Sequence, residues 1–262
     1  MNTKRNKILL VDTHCHFDFS DFDSDRDQLL SDAKQKGLLH LVIPGVKREN
    51  WRRVRELAIA HEELHFALGL HPMFMDAHTE QHLRDLEIEV TKGPVVAVGE
   101  IGLDFQFGRD NQHEQERLFN SQIQIAMNAN LPVIIHCRKA HEDILKILSD
   151  NNYHNGGVIH AYNGDLNQAK RYAAHGFKLG VGGAITYERA TKIRKMVSEL
   201  SLEQIVLETD APDMSPVTCQ GKRNTPVHIF DNFSSLVELR EESAEQIAQQ
   251  TTTNALEVFR LS

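Results

Sequence analysis

No run in this 262-residue chain approaches the roughly 20 consecutive apolar residues that a membrane-spanning helix needs, so no membrane partner is expected. Its three cysteines, Cys15, Cys137 and Cys219, are too few and too scattered to frame a disulfide-built fold. Positive charge is also in deficit: 29 Lys and Arg against 37 Asp and Glu leave a net charge of −8. A protein that wraps nucleic acid by electrostatics alone would be basic, which excludes that class but not a few cations placed at a catalytic mouth. Gly180, Gly182 and Gly183 resemble fragments of a phosphate loop, yet no Lys-Ser/Thr pair follows them, and the P-loop reading fails. They are expected instead to permit close backbone packing or a tight turn. Residues 1–7 are basic, as in a signal peptide, but only residues 8–11 follow before Asp12. That is short of an apolar region of about 7–15 residues, and a cytoplasmic location is expected. No low-complexity segment or linker divides residues 1–262, so one domain is expected.

What recurs is a short β-branched or apolar run, at 8–13, 39–43, 65–70, 94–99, 132–137, 157–161, 177–181 and 204–208. Each is too short for a helix and is bounded by Gly, Pro or polar residues, as buried parallel strands are. Amphipathic segments such as 26–36, 50–61, 112–130, 142–148 and 188–200 lie between them. This alternation implies a parallel sheet with right-handed crossovers. Eight repeats in a chain of this length favour an α/β fold of the single (β/α)8 TIM-barrel type over an open doubly wound sheet. Residues 224–262 add two helical stretches, expected to pack outside the barrel.

The chemistry gathers where these runs end. The first closes on Asp12-Thr13-His14-Cys15-His16. Side chains alternate along a strand, so His14 and His16 share a face, Cys15 points away, and Asp12 is placed to orient a ligand imidazole. The fourth run ends in Glu100, the fifth in His136, the sixth in His160, and the eighth leads into Glu208-Thr209-Asp210. The carboxyl ends of the strands are where barrel enzymes carry their catalytic groups. Four imidazoles and two carboxylates converging there are costly to bury without a compensating charge, and they have the character of a metal site. Six ligands exceed one catalytic ion, so two divalent cations sharing a carboxylate are expected. Such a pair generates a nucleophile near neutral pH and stabilises the attacking and leaving oxygens together. Mixed imidazole and carboxylate ligation suits Zn, Mn or Fe, with Mg a poorer but open choice. Asp210 and Glu100 are assigned as the catalytic carboxylates, Asp210 also as proton acceptor, while Glu208, one strand repeat deeper, is expected to support the ligands.

Other residues at strand ends are candidates for substrate contact. His71, in Gly69-Leu70-His71-Pro72, ends the third run; a packed, hydrogen-bonded imidazole is the competing reading. Asp104 follows Glu100 at the same rim. Arg138 shares the parity of His136, and a fixed positive charge beside cations is tolerated when an anion lies between them, which favours a phosphate or carboxylate substrate. Gly221-Lys222-Arg223-Asn224 follows the eighth run, so Arg223 and Asn224 are placed on a mouth loop. His61, His78, His82, His113, His141, His154, His175 and His228 fall in helices or loops and are read as surface or capping groups.

Together these stretches, with Gly99-Glu100-Ile101-Gly102-Leu103-Asp104, Pro132-Val133-Ile134-Ile135-His136-Cys137-Arg138, His160-Ala161-Tyr162 and Glu208-Thr209-Asp210-Ala211-Pro212, resemble the TatD family of metal-dependent hydrolases, amidohydrolase-like barrels. The resemblance spans nearly the whole chain in order. It implies that one cation takes His14, His16 and Asp210, the other His136 and His160, with Glu100 bridging. It also implies phosphodiester hydrolysis, since members of the family are described as deoxyribonucleases or as hydrolases of uncharacterised substrate. The chain departs from the family's pattern at Ala161-Tyr162-Asn163-Gly164-Asp165, Met73 and Thr225, around the mouth and at none of the six ligands.

The leading expectation is therefore a metal-dependent phosphodiesterase, a 3′-end deoxyribonuclease in type, with DNA or a small phosphoester as partner and no obligate protein partner. The alternative is a small-molecule amide, lactone or phosphoester hydrolase on the same site, which the net charge favours. A binding protein with a vestigial site would have lost at least one ligand, and none is missing.

Overall fold

The structure, a computed structural model, describes residues 7–262; the basic segment at residues 1–6 lies outside the described residues. Eight strands form one sheet in sequence order: β1 (Leu10–Asp12), β2 (Leu38–Pro44), β3 (Leu64–Leu68), β4 (Val95–Asp104), β5 (Val133–Arg138), β6 (Gly157–Ile159), β7 (Phe177–Val181) and β8 (Ile205–Leu207). Each of the seven paired neighbours is parallel. The ring is drawn shut between first and last strands by Thr13 N donating to Leu207 O at 3.0 Å and Asp210 N donating to His14 O at 2.8 Å. The expected eight-stranded α/β barrel is what the chain forms.

The crossovers carry α1 (Arg26–Lys36), α2 (Trp51–Ala60), α3 (Glu80–Glu89), α4 (Gln112–Asn128), α5 (His141–Asp150), α6 (Leu166–Ala174) and α7 (Thr191–Glu199). Two further helices, α8 (Ile229–Glu238) and α9 (Ala244–Phe259), follow β8. Their apolar faces bury against strands that are themselves apolar on both sides, as a parallel sheet requires. Caps mark several starts: the Asp165 carboxylate accepts from Gln168 N at 2.8 Å, and Ser243 Oγ accepts from Gln246 N at 3.2 Å.

Two expectations change. The fourth strand does not end near Glu100. Residues 101–104 pair on with Ile135, His136, Cys137 and Arg138 of β5, so Glu100 sits inside β4, at a shift in register. Gly102 permits this: its φ is +146°, and a Cβ there would lie 2.0 Å from His136 O.

The last helix is not packed on the outside. Val11, Val42, Ala67, Ala97, Ile134, Val158 and Val206, from seven strands, cluster with Ala255 and Phe259 of α9. The helix therefore plugs the end of the barrel opposite His14 and His16. Asn254 ties the plug down, its Nδ2 donating to Leu202 O at 2.8 Å and Ile205 O at 2.7 Å. Asn254→Ala removes both of these bonds, though Leu202 O keeps the one from Ile205 N, and is expected to lower stability by roughly 1–3 kcal/mol, read as a lower midpoint in thermal unfolding.

Candidate metal centre

Four donor atoms crowd one point at the carboxyl ends of the strands. His14 Nε2 lies 3.2 Å from Glu100 Oε2, 3.6 Å from Asp210 Oδ1 and 3.4 Å from His16 Nε2. His16 Nε2 lies 3.6 Å and 3.5 Å from the same two oxygens. Ligands arranged tetrahedrally at about 2.1 Å from a cation stand about 3.4 Å from one another, so this spacing fits a divalent ion. Both imidazoles leave Nδ1 buried and unpartnered among the described residues.

The other Glu100 oxygen faces a second group. Oε1 lies 3.1 Å from His71 Nε2 and 3.1 Å from His136 Nδ1, while His136 Nε2 lies 2.8 Å from Asp104 Oδ2. His160 stacks on His14, ring centroids 3.7 Å apart, with Nε2 3.5 Å from Asp210 Oδ2. Of the pair that the resemblance assigns to one cation, His136 groups with His71 and Glu100, whereas His160 groups with His14 and Asp210. His71, expected as a substrate contact, thus stands within the carboxylate–imidazole cluster. Its Nδ1 accepts from Met73 N at 3.1 Å, which leaves the ring proton on Nε2, facing Glu100.

Buried carboxylates hold this cluster in place. Asp12 does not orient an imidazole. It accepts from Thr209 Oγ1 at 2.6 Å, Thr209 N at 3.0 Å and the backbone of His14 at 3.3 Å, stitching the end of β1 to the segment that carries Asp210. Burial pushes its carboxyl up to about 8, against the lowering effect of those donors. Glu208 lies beneath the ligands: Oε1 accepts from Ala161 N at 2.7 Å and stands 3.0 Å from His160 Nδ1, off the line of a hydrogen bond. Gly180 makes room for it, since a Cβ there would fall 2.1 Å from Glu208 Oε2. That close approach accounts for one glycine of the Gly180–Gly183 run.

Burial opposes ionisation of Glu100, but His71, His14 and His136 outweigh it and hold the carboxyl well below the usual range. The same contest, with His160, His14 and His16 as the opposing groups, brings Asp210 down to about 2. Burial alone would depress His160 and His136. The carboxylates around them reverse that, Glu208 and Asp210 raising the first and Asp104 and Glu100 the second. His71, dominated by burial, falls to about 4. Negative charge is thus fixed at the centre of the rim, and protons and cations compete for the same nitrogen atoms.

A cleft of about 520 Å³ opens over the cluster, and Arg138 and Asp104 line it. Arg138 is exposed, and its guanidinium has no hydrogen-bond or ion-pair partner among the described residues. Arg223 and Asn224 do not reach this cleft, against expectation. The Arg223 guanidinium is spent on Asp25, at 2.5 Å and 3.1 Å, because α1 brings that carboxylate alongside the loop. Asn224 is fully buried, its Nδ2 donating to Asp213 O at 2.7 Å and Thr209 O at 2.9 Å, and so shapes the turn around Asp210. His141, read as a surface group, is buried, with Nδ1 3.2 Å from Cys137 Sγ and 3.1 Å from Tyr172 Oη. Met73, placed around the mouth by the sequence, is part of an apolar wall whose other members, Phe19, Phe74, Phe107 and Met214, escaped that reading. Its signal was an aromatic or thioether side chain within four residues of a site residue.

Residues 11–260 match the family model described as TatD related DNase. An uncharacterized metal-dependent hydrolase of Escherichia coli K12, YjjV, is 41% identical over 254 residues, covering 96% of this chain and 98% of its own. Its counterpart YabD of Bacillus subtilis 168, also an uncharacterized metal-dependent hydrolase, is 32% identical over 97% of this chain and all of its own. The crystal structure of the E. coli YjjV protein, described as a TatD homolog, superposes with a TM-score of 0.92 over 97% of this chain and 98% of the other.

Proposed function

This chain belongs to the TatD family of metal-dependent hydrolases, and from that premise we propose that it hydrolyses phosphodiesters, acting on DNA from the 3′ end. The observation that carries the proposal is Arg138, a guanidinium without a partner among the described residues, on the wall of a cleft whose floor is a fixed cluster of carboxylates and imidazoles. A phosphate is the group that bridges such a floor, once loaded with cations, and an always-charged, bidentate donor.

His14, His16, Asp210 Oδ1 and Glu100 Oε2 would hold one cation. Glu100 Oε1 and His136 would hold a second, with His160 as the resemblance implies or His71 as the placement suggests. Divalent cations bound there supply Lewis acidity and lower the pKa of water. The chain's own groups do the rest. Arg138 grips a non-bridging phosphate oxygen and sets the phosphorus over the cluster. Asp210, ionised at neutral pH, accepts the proton that the attacking water gives up. Asp104 fixes the His136 ring through Nε2, Glu208 sets its charge against His160 Nδ1, and the apolar wall limits the water that reaches the reacting phosphate.

Arg138→Ala is expected to reduce kcat/KM on a phosphodiester by the worth of one charge-assisted contact, roughly 1.5–3 kcal/mol, with metal content unchanged. Steady-state kinetics with parallel elemental analysis checks this, and unaltered kinetics would take the phosphate role from Arg138. The net charge of −8 favours a second reading, a small-molecule ester or amide hydrolase on the same cluster. Offering the metal-loaded protein single-stranded DNA, duplex DNA, phosphoesters and amides decides between the two.

A further inference from the structure

The mouth continues past the cation cluster. A second cleft of about 380 Å³ opens beside the first, and Met73, Asp104 and Phe107 line both. It lies within the range of small-molecule sites, about 300–1,000 Å³. Phe107 is 94% exposed and Met73 60% exposed, an apolar pair left in water at the rim of a polar site.

The loop imposes this exposure. Before Phe107, Gln106 N donates to Asp104 Oδ1 at 2.8 Å, and Lys139 Nζ donates to Gln106 O at 3.3 Å. After it, the Arg109 guanidinium donates to Asp143 Oδ2 at 2.9 Å and Lys139 O at 3.3 Å, and stacks 4.2 Å from the centroid of buried Phe105. With its flanks tied down, the Phe107 ring is held out over the boundary between the two clefts.

Carboxylates line both clefts, but positive side-chain charge is confined to one. Arg138 lines the first cleft only. The second has Asp104, Asp110 and Asn111 on its walls and, among the described residues, no Lys or Arg. It repels phosphate and offers hydrogen-bond acceptors beside an aromatic face, which suits an uncharged ring carrying amino groups.

We infer that the second cleft is a nucleobase subsite: the base next to the scissile phosphate stacks on Phe107 with its edge toward Asp110 and Asn111, while the phosphate stays on the Arg138 side. The inference deepens the phosphodiesterase reading and rests on it. The test is a fluorescence titration with 2-aminopurine deoxyriboside, together with KM for a single-stranded oligonucleotide relative to that for bis-p-nitrophenyl phosphate. Phe107→Ala is expected to weaken nucleoside binding, and to raise the KM ratio, by about 5- to 100-fold, as loss of one base–aromatic stack does; Phe107→Trp retains both. Because the side chain is exposed, neither variant disturbs the core.

No nucleoside binding by the wild-type protein, or equal binding by wild type and Phe107→Ala, overturns the subsite, while DNA hydrolysis, measured alongside, still supports the wider reading. Binding that Phe107→Ala abolishes, in a protein that cleaves no phosphodiester, upholds base stacking on Phe107 but overturns the wider reading and, with it, the place of that base next to a scissile phosphate.

Discussion

Glu100→Gln is expected to empty the centre of cations and lower turnover by about 10²–10⁴-fold. The effect follows from how many groups one carboxylate serves: its two oxygens lie within 3.1–3.6 Å of His14, His16, His71 and His136. The amide keeps the shape but lacks the charge that balances bound cations in a site 2% exposed. Removing one partner of a buried charge pair costs about 3–5 kcal/mol, which sets the scale of the loss in cation affinity. The wild-type protein is expected to carry about two divalent ions per chain. Elemental analysis of both proteins, with circular dichroism to confirm the fold, checks the expectation. Full metal content and undiminished turnover in the variant would remove Glu100 from the shared position.

Asp210→Asn is expected to act on chemistry more than on binding. One oxygen remains to face His14 and His16, while the group that accepts a proton is gone. The carboxylate is ionised and held in place for that task. The imidazoles of His160, His14 and His16 overcome burial and bring its carboxyl down to about 2, which leaves it ionised at neutral pH. The turn that carries it is locked by the Asp210 amide to His14 O and by Asn224. Asp210 itself adopts φ 55°, a conformation Asp tolerates better than most residues. Loss of a positioned base is worth about 10²–10⁴-fold in kcat, with KM little changed. Near-normal kcat in a variant that retains its metals would pass the role of proton acceptor to His71.

The barrel was legible because eight apolar runs alternate with amphipathic segments, and that pattern needs no tertiary information to read. The six residues expected at the rim do gather there because each ends or follows such a run, and the carboxyl ends of the strands converge whatever their separation in sequence. His71 was placed at the rim but not in the cluster. Its approach to Glu100 Oε1 comes with both backbones meeting the chain after β2, His71 N on Val46 O and Glu100 N on Gly45 O, which side-chain periodicity does not reveal. Asp12 was given an imidazole partner by parity, when closure of the barrel brings Thr209 to it instead.

The mouth loops show where local reading stops. Lys222-Arg223-Asn224 reads as a charged loop beside the site, yet Arg223 is claimed by Asp25, some 200 residues earlier, and Asn224 is drawn inward to carbonyls that only the turn after β8 presents. A side chain's residue type sets what it is able to bind; its partner is set by which distant segment arrives next to it. Residue types and their spacing were therefore enough to point to the barrel and to carboxylates and imidazoles gathered at its rim, and the motifs they form carried the resemblance to the family. The grouping of the ligands, the helix that plugs the far end and the side chains left free to meet substrate followed from closure of the ring, because those contacts join segments that no local pattern relates.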